Sequence, residues 1–130
     1  IDPQALEQIR TLVAAAALQN VTVVQAAARD TGLPRNCCDA VVLRRVYHHL
    51  SDPAATNVGL LRAVRPGGVL VVIDMPPPFS WLRGSLGVPA QVAIDEVKAG
   101  GFELVRLIDG WPGRGGKDMH TVAEKSGIKF

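Results

Sequence analysis

The sequence predicts an α/β layer fold built on a mainly parallel sheet. DAVVLR (39–44) and VLVVID (69–74) are continuous apolar runs bounded by polar residues, the pattern of strands buried on both faces. Segments with apolar residues at helical spacing alternate with these runs, as they do where helices cover a parallel sheet. The chain has 130 residues, enough for one domain that buries about two-thirds of its unfolded surface and too few for two. Residues 1–130 are therefore read as a single domain.

The elements follow in order. Residues 3–18 read as a helix, with Ala5, Leu6, Ile9, Leu12, Val13 and Ala16 on one face. Asp2 is its cap, Pro3 suits its first position and Asn20 is the expected stop. VTVVQA (21–26) is short and β-branched and reads as a strand. TGLPRN is a polar connection leading to the strand at 39–44. After RVYHHL, Ser51 or Asp52 caps a helix that runs to about Val64, with Val58, Leu61 and Val64 inward. RPGG (65–68) is a tight turn into the strand at 69–74. MPPPFSWLRGSLG is a loop, since a proline triplet cannot join a sheet interior. Residues 89–99 form a helix that buries Val92, Ile94, Val97 and the stem of Lys98, and Gly100-Gly101 ends it. FELVRLI (102–108) alternates like a half-buried strand, GWPGRGGKD is a mobile turn, and residues 119–124 are a weak final strand.

Composition excludes several functions. The net charge is +2 with no basic run, and aromatics are 5% of residues, so neither a phosphate-binding stripe nor a base-stacking platform is present and nucleic acid is not expected as a partner. No stretch reaches the length of a membrane span and no secretory signal opens the chain, so a cytoplasmic protein without a membrane partner is expected. Cys37 and Cys38 are the only cysteines. They lack zinc-site spacing and read as two small, largely buried apolar residues in a reducing compartment.

The stretch LPRNCCDAVVLRRVYHHLSDPAATNVGLLRAVRPGGVLVVID resembles class I methyltransferases that use S-adenosylmethionine (SAM). Four pieces carry the likeness in order: the Asp-initiated strand DAVVL, the HHLSDP junction, the helix before RPGG, and VLVVID. GVPAQVAIDEVKAGGFELVRLIDGWPG is similar to the end of such a domain, so the likeness covers almost the whole chain. It implies a Rossmann-like three-layer sandwich with strand order 3-2-1-4-5-7-6 and an antiparallel last strand. Residues 21–26, 39–44, 69–74, 102–108 and 119–124 then become family strands three to seven, and strands one and two have no counterpart. The chain thus reads as amino-terminally truncated, with those strands expected upstream of Ile1.

The resemblance also implies where SAM lies, in the crevice at the carboxyl ends of the strands. The family's G-x-G-x-G loop, where the cofactor approaches backbone unobstructed by a Cβ, is not in this sequence. Ile1 and Asp2 match the end of strand two, but the ribose-binding acid of the family's D-I-D-P pattern falls just before Ile1, and Asp2 is better read as the helix cap. Ala27 and Ala28 stand where members carry an Asp for the adenine amino group and the residue after it; Ala27 has no acceptor side chain, the backbone at Ala28 remains, and Asp30 is the nearest carboxylate. Arg44 and Arg45, at the end of strand four, are candidates to hold a carboxylate by paired hydrogen bonds, and Asp74 and Pro76 face the same crevice. His48 and His49 are the candidate general bases; the competing reading is that one packs under the loop while the other caps or faces solvent. Methyl transfer needs mainly alignment, and a base only where the acceptor must lose a proton. Trp111 is expected to close over the sheet end, and Asp39 to be structural at the end opposite the crevice.

Two functions follow. One is SAM-dependent methyl transfer to a small-molecule acceptor, with this chain alone inactive. The other is a non-catalytic interaction module that associates with a partner or with itself through the open edge of the strand at 39–44. The coding sequence upstream of Ile1 discriminates them: an in-frame glycine-rich loop and acidic residue mark a truncated enzyme, a start codon a remnant.

Overall fold

The computed structural model describes residues 2–75, 87–113 and 116–125. Helix α1 (Pro3–Ala15) is followed by strand β1 (Cys38–Arg44), a single 3₁₀ turn (Tyr47–His49), helix α2 (Pro53–Ala63), strand β2 (Val64–Asp74), helix α3 (Ala90–Ala99) and strands β3 (Glu103–Gly113) and β4 (Gly116–Glu124). The sheet order is β1-β2-β4-β3. β1 runs parallel to β2, with Val41 opposite Leu70 and Leu43 opposite Val72. β4 is antiparallel to both β2 and β3, so the last strand inserts as the resemblance implies.

Asp2 caps α1, its Oδ1 accepting from the Gln4 N–H at 2.8 Å, and Pro3 takes the first turn. The helix ends at Ala15 rather than near Asn20, because Ala17 turns left-handed at φ 50°. No residue of α1 is buried; Leu6 and Val13 are half-buried, while Ile9 and Leu12, the latter 69% exposed, have little cover among the described residues. Residues 21–26 do not form the expected strand. A strand exists only where a neighbour supplies hydrogen bonds, and the nearest ladder contact is one isolated bridge between Ala27 and Asp30.

The core lies on the face of the sheet covered by α2 and α3. Tyr47, Leu60, Val64, Leu70, Val72, Val88, Ala93, Val97 and Phe102 form it, flanked by Val41, Leu43, Leu50 and Leu61. Each large side chain so buried contributes about 1.5–3 kcal/mol. α2 turns Asn57, Leu60 and Ala63 inward and leaves Val58 60% exposed; α3 buries Ala93, Ile94 and Val97, while Val92 and Lys98 face out. Val64, Ile94 and Val97 are buried and Leu61 packs against the core as read, whereas Val58, Val92 and Lys98 do not turn inward. Two-sided burial is corrected for β1, while the second face of β2 is half-buried. Val42, on the other face of β1, is 59% exposed, because no described helix lies over it.

RPGG does not precede the strand but interrupts it. Between Cys38↔Val64 and Ala40↔Val69 the ladder advances two residues on β1 and five on β2. The extra residues bulge out, with Gly67 at φ +77° donating to the Lys125 carbonyl and the Gly68 carbonyl accepting from the Lys125 N–H, each at 3.1 Å. Lys125 Nζ then reaches Asn36 Oδ1, Leu61 O and Val64 O at 3.2, 3.0 and 2.9 Å. The expected mobile turn is a hairpin: Trp111, Pro112 and Gly113 pair with Asp118, Lys117 and Gly116. The Trp111 side chain, like Ile1 and Pro76, lies outside the described part.

The two glycines of the bulge are required for different reasons, which mutation separates. A Cβ on Gly68 would meet Asp39 O and Val64 Cγ1 at 2.8 Å, whereas one on Gly67 meets nothing within 4 Å. Gly68→Ala is expected to cost about 1–3 kcal/mol through overpacking. Gly67→Asn costs less, because Asn tolerates the left-handed backbone. Urea denaturation checks this; equal losses would contradict it.

Candidate functional site

The carboxyl ends of β1 and β2 are tied together by one carboxyl group. Leu70, Val72 and Asp74 share a face of β2 by strand alternation, so the side chain that follows two core residues is also carried inward; Asp74 is 4% exposed. Burying a carboxyl group is costly unless its lone pairs are used, and here three N–H groups use them. Asp74 Oδ2 accepts from the His48 backbone N–H at 3.0 Å. Oδ1 pairs with His48 Nδ1 at 2.7 Å and accepts from the Met75 N–H at 2.8 Å. With the carboxyl group acting as acceptor throughout, Nδ1 is the donor of this pair.

The chain reaches this clamp through a left-handed residue. Arg45 sits at φ +53° and its N–H donates to Ile73 O at 2.7 Å, which turns the backbone from β1 into the 3₁₀ turn. Tyr47 and His48 point inward from that turn and His49 outward, its ring centroid 4.0 Å from that of His48. The Tyr47 hydroxyl accepts from Asn57 Nδ2 at 2.8 Å, fixing the turn to α2. Asp52 caps α2 through the Ala55 N–H and pairs with Arg29 at 3.0 Å.

The residues expected from the sequence are only partly brought together. His48 and Asp74 meet; Arg44 and Arg45 lie exposed at the same end. Ala27 and Ala28 are exposed, and the Ala27 N–H is used by Asp30 O at 2.8 Å. The Asp30 carboxylate accepts from the Gly32 N–H in its own turn and from Arg62 on α2, so it is already engaged. Asp2 Oδ1 is engaged in capping. Among the described residues, the acceptors the resemblance implies for SAM are thus absent or already engaged, and the His48–Asp74 pair with two exposed arginines is what stands at the carboxyl ends of β1 and β2. The histidine pair and Asp74 were each legible as residue types at a crevice. Their pairing was not, because it joins positions 26 residues apart.

If the clamp holds this lip of the sheet, its loss is large and chemically specific. Asp74→Ala leaves two buried N–H groups of His48 and the part-buried Met75 N–H without their acceptor and is expected to cost about 3 kcal/mol or more. His48→Asn, whose amide nitrogen hangs from Cγ as Nδ1 does, is expected to cost less than His48→Ala. Denaturant unfolding measures both; an Asp74→Ala variant within about 0.5 kcal/mol of the parent, the range of an ordinary surface change, would contradict the clamp.

Comparison with known proteins agrees with this architecture. Solved structures superpose on nearly the whole chain: a SAM-dependent methyltransferase from Aquifex aeolicus (TM-score 0.78, 17% identity, 96% of this chain and 65% of that one), the 4+2-cyclase SpnF (0.79, 16%, 98% and 65%), and SAM-dependent methyltransferases from Methanosarcina mazei (0.71, 12%, 98% and 80%). The chain spans about 65% of the length of the first two. No curated protein matches it. At these identities the structures show the fold, a Rossmann-like α/β sheet, rather than the chemistry. The family profile described as "Methyltransferase domain" matches residues 1–72, more than half of the sequence, and the chain belongs to that family.

Proposed function

We propose that this chain belongs to an enzyme that transfers a methyl group from SAM to a small-molecule acceptor, and that the 130 residues do not turn over alone. The supporting observation is the sheet order β1-β2-β4-β3 with β4 antiparallel, which sets the His48–Asp74 clamp at the carboxyl ends of two parallel strands, where ligands of open α/β sheets bind. SAM supplies, when bound, an electrophilic methyl group. The chain's own share is orientation: Asp74 fixes the turn after β1 against the end of β2, and Arg44 offers a guanidinium to an anionic group at that edge. Holding reactants in line is worth several kcal/mol without any proton transfer. The His48 side chain is 4% exposed, which favours a brace over a base.

A second reading rests on the free edge of β1. Arg45 donates toward β2, so by alternation Ala40, Val42 and Arg44 turn their backbone groups to the other side, where no described strand pairs with them. Such an edge suits pairing with a partner chain or a second copy.

Calorimetric titration with SAM and transfer of labelled methyl to a panel of small acceptors test the proposal, on this chain and on its coding sequence extended upstream of Ile1. The extended protein is expected to bind SAM and transfer methyl, with His48→Asn retaining transfer, while the short chain shows no micromolar binding. An extended protein that does neither would overturn the methyltransferase reading, and micromolar binding by the short chain would overturn its inactivity. Native mass spectrometry of the short chain decides the edge: a monomer with no partner removes the second reading.

A further inference from the structure

We propose that Cys37 and Cys38 form a reversible dithiol–disulfide couple oxidised by low-molecular-weight disulfides. Neighbouring side chains in a strand point to opposite faces, so adjacent cysteines in regular β structure hold their sulfurs apart. Here they converge. Cys37 follows the left-handed Asn36 (φ 52°) and precedes β1, and its Sγ lies 2.8 Å from that of Cys38. Both thiols are free and half-buried, neither fully enclosed, so a small reagent can approach them.

The backbone beneath the pair is held in place. The Asn36 N–H donates to Arg62 O at 2.9 Å, Arg65 Nε donates to Asn36 O at 3.1 Å, and Lys125 Nζ donates to Asn36 Oδ1 at 3.2 Å. The convergence is thus a property of the fold at the amino end of β1. It lies at the opposite end of the strand from His48 and Asp74 and does not depend on the methyl-transfer reading.

The two sulfurs are not equivalent. The Cys38 thiol is pushed up, first by its hydrogen bond with Cys37 and then by burial, with the Arg65 guanidinium opposing. The thiol harder to deprotonate attacks second, so Cys37 is taken as the attacker and Cys38 as the resolving thiol. The Cys37 thiolate displaces one thiolate from the small disulfide to form a mixed disulfide. Cys38 then loses its proton and attacks the Cys37 sulfur, expelling the second thiolate. Two protein thiols are oxidised by two electrons, and one small disulfide is reduced to two thiols. Adjacent Cα atoms lie about 3.8 Å apart across a trans peptide, below the roughly 4.4–6.8 Å of ordinary disulfides. The resulting ring is strained and readily reduced, as a reversible couple requires.

The test is oxidised glutathione applied to the chain, with acid quench, thiol counting and intact mass. The parent is expected to lose both thiols, carry no glutathione, remain monomeric and recover fully with reduced glutathione. Cys38→Ser is expected to stop at a stable glutathione adduct on Cys37, and Cys37→Ser to react at least several-fold more slowly. A parent that keeps its adduct, cross-links between chains, or retains both thiols while Cys38→Ser is modified would overturn the couple. Equal rates for the two single variants would overturn the assignment of Cys37 as attacker.

Discussion

The Asp74 carboxyl group is the point through which the crevice end of the sheet is organised. Three N–H groups from two separate segments, the turn after β1 and the residue after β2, converge on it. In a low-dielectric site each such bond is stronger than in water, and each unmade one is costlier. The group therefore holds three positions at once: the ring of His48, the path of the backbone beyond Arg45, and the first residue beyond β2. A parallel strand pair offers no short hairpin to fix the ends of its strands, and a side chain has to do that work.

The opposite end is pinned by a different device. Lys125 brings the end of β4 against the β2 bulge through two backbone hydrogen bonds, and its side chain spans to Asn36 and to the carbonyls that end α2. Arg65 joins the same cluster through Asn36 and Asp39. One end of the sheet is thus set by a buried acceptor and the other by cationic donors, with the aliphatic core between them. The bulge at RPGG and Lys125 meet through these hydrogen bonds.

The sequence was most legible where pattern and neighbours agree. DAVVLR and VLVVID form adjacent parallel strands, and the Asp-Pro starts at 2–3 and 52–53 begin helices as read. It was misleading where an element needs a partner that is not in the described residues. VTVVQA has the composition of a strand and no ladder, and α1 has an apolar stripe and no buried residue. The inward faces of α2 and α3 were read in part: Leu61, Val64, Ile94 and Val97 lie inward as expected, but favouring large residues hid the small and polar ones. The structure places the small Ala63 and Ala93 and the polar Asn57 at the close contacts and leaves Val58 and Val92 outside. For the site, residue types were visible but pairings were not: the clamp and the sulfur contact both depend on a left-handed residue, Arg45 or Asn36, that no periodicity announces.

Fold and function separate here in the usual way. The same sheet carries a methyltransferase from Aquifex aeolicus and a cyclase, SpnF, so the chemistry depends on what the crevice lip holds and how firmly. That firmness is measurable amide by amide. Hydrogen exchange of the His48 and Met75 amides should be as slow as that of the β2 core amides in the parent, and should become fast in Asp74→Ala while Leu70 and Val72 stay protected. Exchange at His48 and Met75 in the parent as fast as in the exposed stretch around Ala28 would show that Asp74 does not hold the lip.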